Sequence, residues 1–136
     1  MHYYTVEFRI EGLELNPSTI TTDLGLQPCQ IRDFTDFNKG STSRKRHNLW
    51  AYDGFSPNEK REEDWDSLET GLLYVMANLL PKKEQIAALS SRYQVYWWCG
   101  HFQNSFDGGP RFSPSLLLQL ADIGVELMLD NYQYED

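Results

Sequence analysis

The stretch at residues 93–102, Tyr-Gln-Val-Tyr-Trp-Trp-Cys-Gly-His-Phe, does most to limit how this chain can fold. Val95, Tyr96, Trp97 and Trp98 put apolar bulk on both faces of an extended segment. A strand of that kind needs cover on each side, which predicts a central place in its sheet. Residues 3–10 supply a second strand. There Tyr4, Val6, Phe8 and Ile10 point one way and Tyr3, Thr5, Glu7 and Arg9 the other, the period of a strand with one face on a core and one toward solvent or another layer.

Between and after these strands the pattern alternates with helices. Asn16-Pro17 opens a short helix, with Asn16 as cap, Pro17 at the first helical position, Leu15 and Ile20 spaced as a staple, and Gly25 as a left-handed stop. Residues 29–37 read as a strand with Ile31 and Phe34 partly buried, residues 40–46 as an exposed polar loop, and residues 49–52 as a short strand ending at Asp53-Gly54. Ser56-Pro57-Asn58-Glu59 has the spacing of a capping box. Trp65, Leu68, Leu72, Leu73, Val75, Met76, Leu79 and Leu80 recur at helical spacing and predict the longest helix, which Pro81 breaks. A further helix is expected from about residue 82 to 91, turning Ile86 and Leu89 inward.

Residues 104–111 form a loop around Asp107-Gly108-Gly109-Pro110. Ser113-Pro114 then caps a helix stopped at Gly124, and Val125, Leu127 and Leu129 alternate through a last strand. The order β-α-β-β-α-α-β-α-β predicts an α+β fold: one two-layer domain over residues 1–136, its sheet mostly antiparallel or mixed, with helices packed on it. The segment 16–26 echoes 113–125 in its cap, proline and glycine stop, which fits a ferredoxin-like or pseudo-duplicated plan.

Length and charge close off several classes. At 136 residues the size scaling buries about two-thirds of the unfolded surface, enough for one core and too little for two. No run of eighteen apolar residues exists to cross a membrane. The chain opens on a strand pattern rather than a basic-then-apolar leader, and Cys29 and Cys99 are too few for a disulfide framework, so a cytoplasmic location is expected. Twenty Asp/Glu against twelve Lys/Arg give a net charge of −8, which argues against a general nucleic-acid binder. That charge is unevenly spread. Lys39, Arg44, Lys45, Arg46 and His47 cluster in a stretch without acids, seven acids follow between Asp53 and Glu69, and no base follows Arg111.

Gly12, Asn16-Pro17, Ile20, Leu24-Gly25-Leu26 and Pro28, with Trp50, the leucine-rich helix ending at Leu80-Pro81, and Phe112-Ser113-Pro114 through Leu120, Gly124 and Tyr132, resemble the bacterial domain-of-unknown-function family 4279. The resemblance covers nearly the whole chain. It implies a small single-domain bacterial cytoplasmic protein of mixed α and β structure, and it carries no activity to transfer. The connection 29–48, with its basic cluster, departs from the family pattern.

Candidate chemistry is sparse. Cys99 and His101 leave one face of a strand, the types of a nucleophile and its base, but about 6.5–7 Å separates such positions along a strand. Cys99 reads better as a small buried hydrophobe and His101 as the strand's wet end. His2, His47 and His101 share no metal-ligand spacing. Glu62 and Asp66 would share a helix face for a hard cation, although a solvated helix start explains them better. No cofactor is expected. The segment 100–111 mixes polar and aromatic side chains ahead of a helix N-terminus, the composition of a binding edge.

Three functions follow in order. The first is a non-enzymatic, acidic protein-interaction domain, of the immunity or accessory type, whose partner is another protein with a basic surface or a second copy of itself. The second is a small-ligand-binding module with Trp50, Trp98, His101, Asn104, Asp107 and Arg111 near one pocket. The third is a hydrolase using Cys99 and His101 or a metal.

Overall fold

A computed structural model describes residues 1–55, 59 and 64–135. Five strands, β1 (His2–Gly12), β2 (Gln30–Arg32), β3 (Asn48–Tyr52), β4 (Gln94–Gln103) and β5 (Glu126–Gln133), form one sheet in the order β2-β3-β1-β4-β5. Helices α1 (Pro17–Leu24), α2 (Thr35–Gly40), α3 (Leu68–Met76), α4 (Lys83–Ser90) and α5 (Pro114–Ile123) complete the fold, with a 3-10 turn at Leu80–Lys82 leading into α4. The architecture is α+β and the expected element order holds, with α2 as one further short helix between β2 and β3.

β1 lies at the centre of the sheet, antiparallel to both β3 and β4, while β4 and β5 run parallel through the crossover helix α5. β2 is antiparallel to β3 and therefore parallel to β1. Each half thus carries a strand, a helix and a second parallel strand. In the first half β3 is inserted between the parallel pair; in the second the pair is adjacent. The echo in sequence marks the two equivalent helices. Asn16 Oδ1 accepts from the Ser18 N–H at 3.0 Å and Ser113 Oγ from the Leu116 N–H at 3.1 Å. Gly25 and Gly124 stop the helices at φ 66° and 81°, a backbone conformation that favours glycine.

The register sorts side chains by parity. Phe8 pairs with Tyr52 and Trp97, and Ile10 with Trp50 and Val95, so these side chains share one face. That face forms a single core with Ile20 and Leu24 of α1, Leu68, Leu72, Val75 and Met76 of α3, Ile86 and Leu89 of α4, and Leu116 and Ile123 of α5. Helix α2 sits at the end of the sheet, where buried Asn48 fixes it. Asn48 Oδ1 accepts from the Phe34 N–H at 2.6 Å, and its Nδ2 donates to the Leu15 carbonyl at 2.9 Å.

Two expectations change. Trp65 belongs to no helix: its backbone exchanges hydrogen bonds with Tyr4 at 2.7 and 2.8 Å, extending the sheet beyond β3. Helix α3 starts only after Ser67, whose Oγ accepts from the Thr70 N–H. The Trp65 ring packs where a side chain on Gly71 would stand, since a Cβ there would lie 2.7 Å from Trp65 Cδ1 and 2.9 Å from Val6 Cγ2. Helical spacing cannot separate a helix from a bridge followed by a cap. The segment 29–37 is likewise a three-residue strand and the start of α2, because Asp33 turns the chain by accepting from the Thr35 N–H at 3.0 Å. The capping box at Ser56-Pro57-Asn58 and the acids Glu62 and Glu63 lie outside the described residues.

Candidate functional site

The six residues expected around one pocket fall in separate places. Trp50 is fully buried on the helix side of the sheet, and its Nε1–H donates to Thr21 Oγ1 at 3.0 Å. Trp98 pairs with Glu7 and stands on the opposite face. Strand parity separates the two indoles, so they line no common pocket. His101, Asn104 and Asp107 gather at one end of the sheet, and Arg111 is exposed farther along the loop.

His101 is not the wet end of its strand; it is 4% exposed. Its Nδ1 lies 2.8 Å from Asn131 Oδ1, and its Nε2 lies 2.8 Å from His2 Nδ1. The other nitrogen of His2 meets the Asp107 carbonyl oxygen. Tyr4 stacks on the His101 ring at 4.8 Å. This chain ties the start of β1 to the ends of β4 and β5 and to the loop 104–111.

Beside these rings burial raises the Tyr4 phenol, and the chain amino group donates to Asn104 Oδ1 at 2.7 Å. His2→Phe removes two of the links and leaves a buried ring nitrogen of His101 without its partner, at an expected cost of about 1–3 kcal/mol. Urea unfolding reads the difference, and an unchanged midpoint rules this chain out as a tie between the two ends of the sequence.

On the other face, β1, β4 and β5 carry no helix among the described residues: α1, α3, α4 and α5 bury their side chains in the core, and α2 sits at the end of the sheet beside β2. Register places Arg9, Tyr96 and Glu126 in one row, Glu7, Trp98 and Met128 in the next, then Thr5, Gly100 and Asp130, then Tyr3, Phe102 and Tyr132. Tyr3 stacks on Phe102 with ring centroids 5.7 Å apart, and Phe102 on Tyr132 at 5.0 Å. The Arg9 guanidinium sits 4.3 Å from the Trp98 ring and donates to Glu7 Oε1 at 3.0 Å. Asp130 Oδ2 accepts from the Trp98 indole at 3.4 Å and from the Tyr132 hydroxyl at 2.7 Å, and this hydrogen bond raises the Tyr132 phenol. Gly100 makes room for the layer, since a Cβ there would lie 2.5 Å from Thr5 Oγ1 and 3.1 Å from the Trp98 and Phe102 rings. Met128 and Tyr132 remain 44% and 41% exposed. Sequence reasoning missed Tyr3, Phe102, Asp130 and Tyr132 as a group. The alternation of Tyr3, Thr5, Glu7 and Arg9 held the signal, but it takes the partner strands to bring the aromatic and acidic side chains together.

The geometry opposes nucleophilic catalysis by Cys99. Both cysteines are free. Cys99 is fully buried, and burial pushes its thiol up to about 12, away from the thiolate that attacks. Cys29 is exposed as a residue, yet partial desolvation and then the carboxylates of Glu7 and Asp53 push its thiol up to about 12 as well. Asp66 precedes α3 and belongs to no helix, and Glu62 lies outside the described residues. Among the described residues no group of three His, Cys, Asp or Glu side chains can hold a metal, and no helix is long and apolar enough to cross a membrane.

No curated protein and no solved structure matches the chain at a significant level. The model of one family, described as a domain of unknown function (DUF4279), matches residues 2–134. The sheet, its helices and the helix-free face all lie within that match, and the chain belongs to the DUF4279 family.

Proposed function

We propose that the chain is a non-enzymatic interaction domain that docks a protein with a basic surface through the helix-free face of its sheet. The carrying observation is the aromatic layer of Tyr3, Trp98, Phe102 and Tyr132, interleaved with the carboxylates of Glu7, Glu126 and Asp130. Arginine at its centre is already used, because Arg9 is held by Glu7 and Trp98. What the β4–β5 half offers outward is therefore aromatic faces and negative charge. A guanidinium or ammonium group gains from both, through cation–π contact and through ion pairing. Aromatic anchors with a charged surround are the usual energetic centre of a protein interface. Masking the basic surface of a toxin or nuclease, an immunity or accessory role, fits this chemistry.

An arginine-rich peptide serves as probe in an NMR titration. The aromatic resonances of Tyr3, Trp98, Phe102 and Tyr132 are expected to shift together, less so at high salt. Asp130→Arg is expected to weaken binding by about tenfold. If the shifts map instead to the acidic residues 64–69, or Asp130→Arg binds as well as the native chain, the helix-free face is not the docking surface.

A further inference from the structure

We infer that the cleft between β2, α2 and the basic loop 41–47 binds a compact ligand carrying several phosphate groups. The cleft holds about 780 Å³ and is lined by Arg32, Phe34, Phe37 and residues 43–47, with Glu11 as its acid. Arg32, Arg44, Lys45 and Arg46 bring four permanent cations to it, and His47 is a further titratable base. Among the described residues none of these five is ion-paired with a carboxylate, although the chain as a whole carries −8. Lys45 also faces the neighbouring hollow lined by Glu14, Asp33 and Asp36, but within the cleft the cations outnumber their one acid and repel one another, which folding alone does not explain.

The loop is nevertheless held in place. Asn38 clamps the Arg46 backbone from both sides: its Nδ2 donates to the Arg46 carbonyl at 2.8 Å, and its Oδ1 accepts from the Arg46 N–H at 2.9 Å. The Ser43 N–H donates to Ser41 Oγ at 3.1 Å. The Arg46 guanidinium lies 5.4 Å from the Phe34 ring and 5.1 Å from the Phe37 ring, which fixes it without neutralising it. The loop backbone and the Arg46 guanidinium are thus positioned before any ligand arrives, and the ordering cost of binding is reduced.

Size and charge select the ligand. The volume is that of a small-molecule site. A long polyanion meets the net negative charge of the rest of the chain, whereas a ligand inside the cleft feels chiefly the cations within a Debye length of about 8 Å. Phosphoryl oxygens match the fork of arginine donors, and a single carboxylate balances only a fraction of the cluster. The half-exposed Phe37 edge gives an organic group attached to the phosphates something to pack on.

Calorimetric titration with inorganic tripolyphosphate and with ATP tests the site. Tripolyphosphate is expected to bind, and tighter binding of ATP assigns the gain to its organic part beside Phe37; equal binding assigns the affinity to the phosphates alone. Arg44→Gln with Lys45→Gln removes two exposed charges that have no side-chain hydrogen bond or ion pair among the described residues, and is expected to weaken binding by about tenfold or more. Lys82→Gln with Arg92→Gln makes the same change in net charge outside the cleft and is expected to leave affinity unaltered. Circular dichroism verifies that both pairs fold. Absence of tripolyphosphate binding, equal weakening by both pairs, or displacement of tripolyphosphate by an oligonucleotide or a glutamate-rich peptide at lower concentration overturns the assignment.

Discussion

Trp50→Ala is expected to cost about 3–5 kcal/mol of stability, the range for truncating a fully buried aromatic side chain. The indole is wholly enclosed, paired across β1 with Ile10, and stacked 6.1 Å from Tyr52. Its loss also orphans nothing essential on Thr21, whose hydroxyl still donates to the Pro17 carbonyl at 3.2 Å. The cost is therefore a cavity cost and scales with the volume left behind. Against a total of about 5–15 kcal/mol for a domain of ordinary stability, it takes a large share. Urea denaturation measures it. A variant with unchanged midpoint and slope would mean that Trp50 is not in the core, and would restore it as a candidate for ligand contact.

Asn48→Ala is expected to cost about 2–4 kcal/mol by a different route. The residue is 1% exposed, and its amide joins three segments: it accepts from the Phe34 N–H, and donates to the Leu15 carbonyl and, at 3.3 Å, to Thr35 Oγ1. Alanine leaves a backbone donor and a backbone acceptor without partners in a place water reaches poorly, and each such group costs about 1–3 kcal/mol. The loss is local in structure. Hydrogen exchange is expected to accelerate at Phe34 and through α2, while the amides of β1 and β4 keep their protection. Uniform acceleration over the whole sheet would instead show that Asn48 is part of the global folding unit and not a clamp on the sheet's end.

These two residues show where sequence reading works and where it stops. Trp50 sits in a run, Leu-Trp-Ala-Tyr, whose strand character is legible, but its face is not. All five positions of β3 are buried, so no alternation distinguishes the core side from the other. A tryptophan in such a run looks the same whether it fills a core or lines a pocket. Asn48 gives less warning still. It stands at the end of a basic, polar loop, and its partners lie 14 and 33 residues away. A polar residue becomes a structural clamp only when the backbone groups it satisfies are brought to it and dried.

The histidine chain follows the same logic. His2 and His101 are 99 residues apart, and a lone histidine near the end of an apolar strand reads as the place where solvent begins. Antiparallel pairing of β1 with β4 puts Tyr4 opposite His101 and stacks three rings. Burial then follows from the neighbours, not from the residue type. The basic cluster was visible as a run of charge, without aromatics among its own residues. Folding supplies them, because α2 carries Phe37 and the turn before it carries Phe34 to the Arg46 guanidinium.

The sequence by itself determined the elements and their punctuation: the alternation of β1, the two-sided apolar run of β4, and the Pro-led helices with their glycine stops. Those features depend on neighbours within a few residues along the chain, and local sterics, capping and periodicity settle them. Only the tertiary structure decided which face of the sheet the helices cover. That choice comes from strand order and register, the sum of many weak contacts between distant segments. It buried Trp50, left Tyr3, Trp98, Phe102 and Tyr132 without a helix above them among the described residues, and brought two histidines 99 residues apart to 2.8 Å.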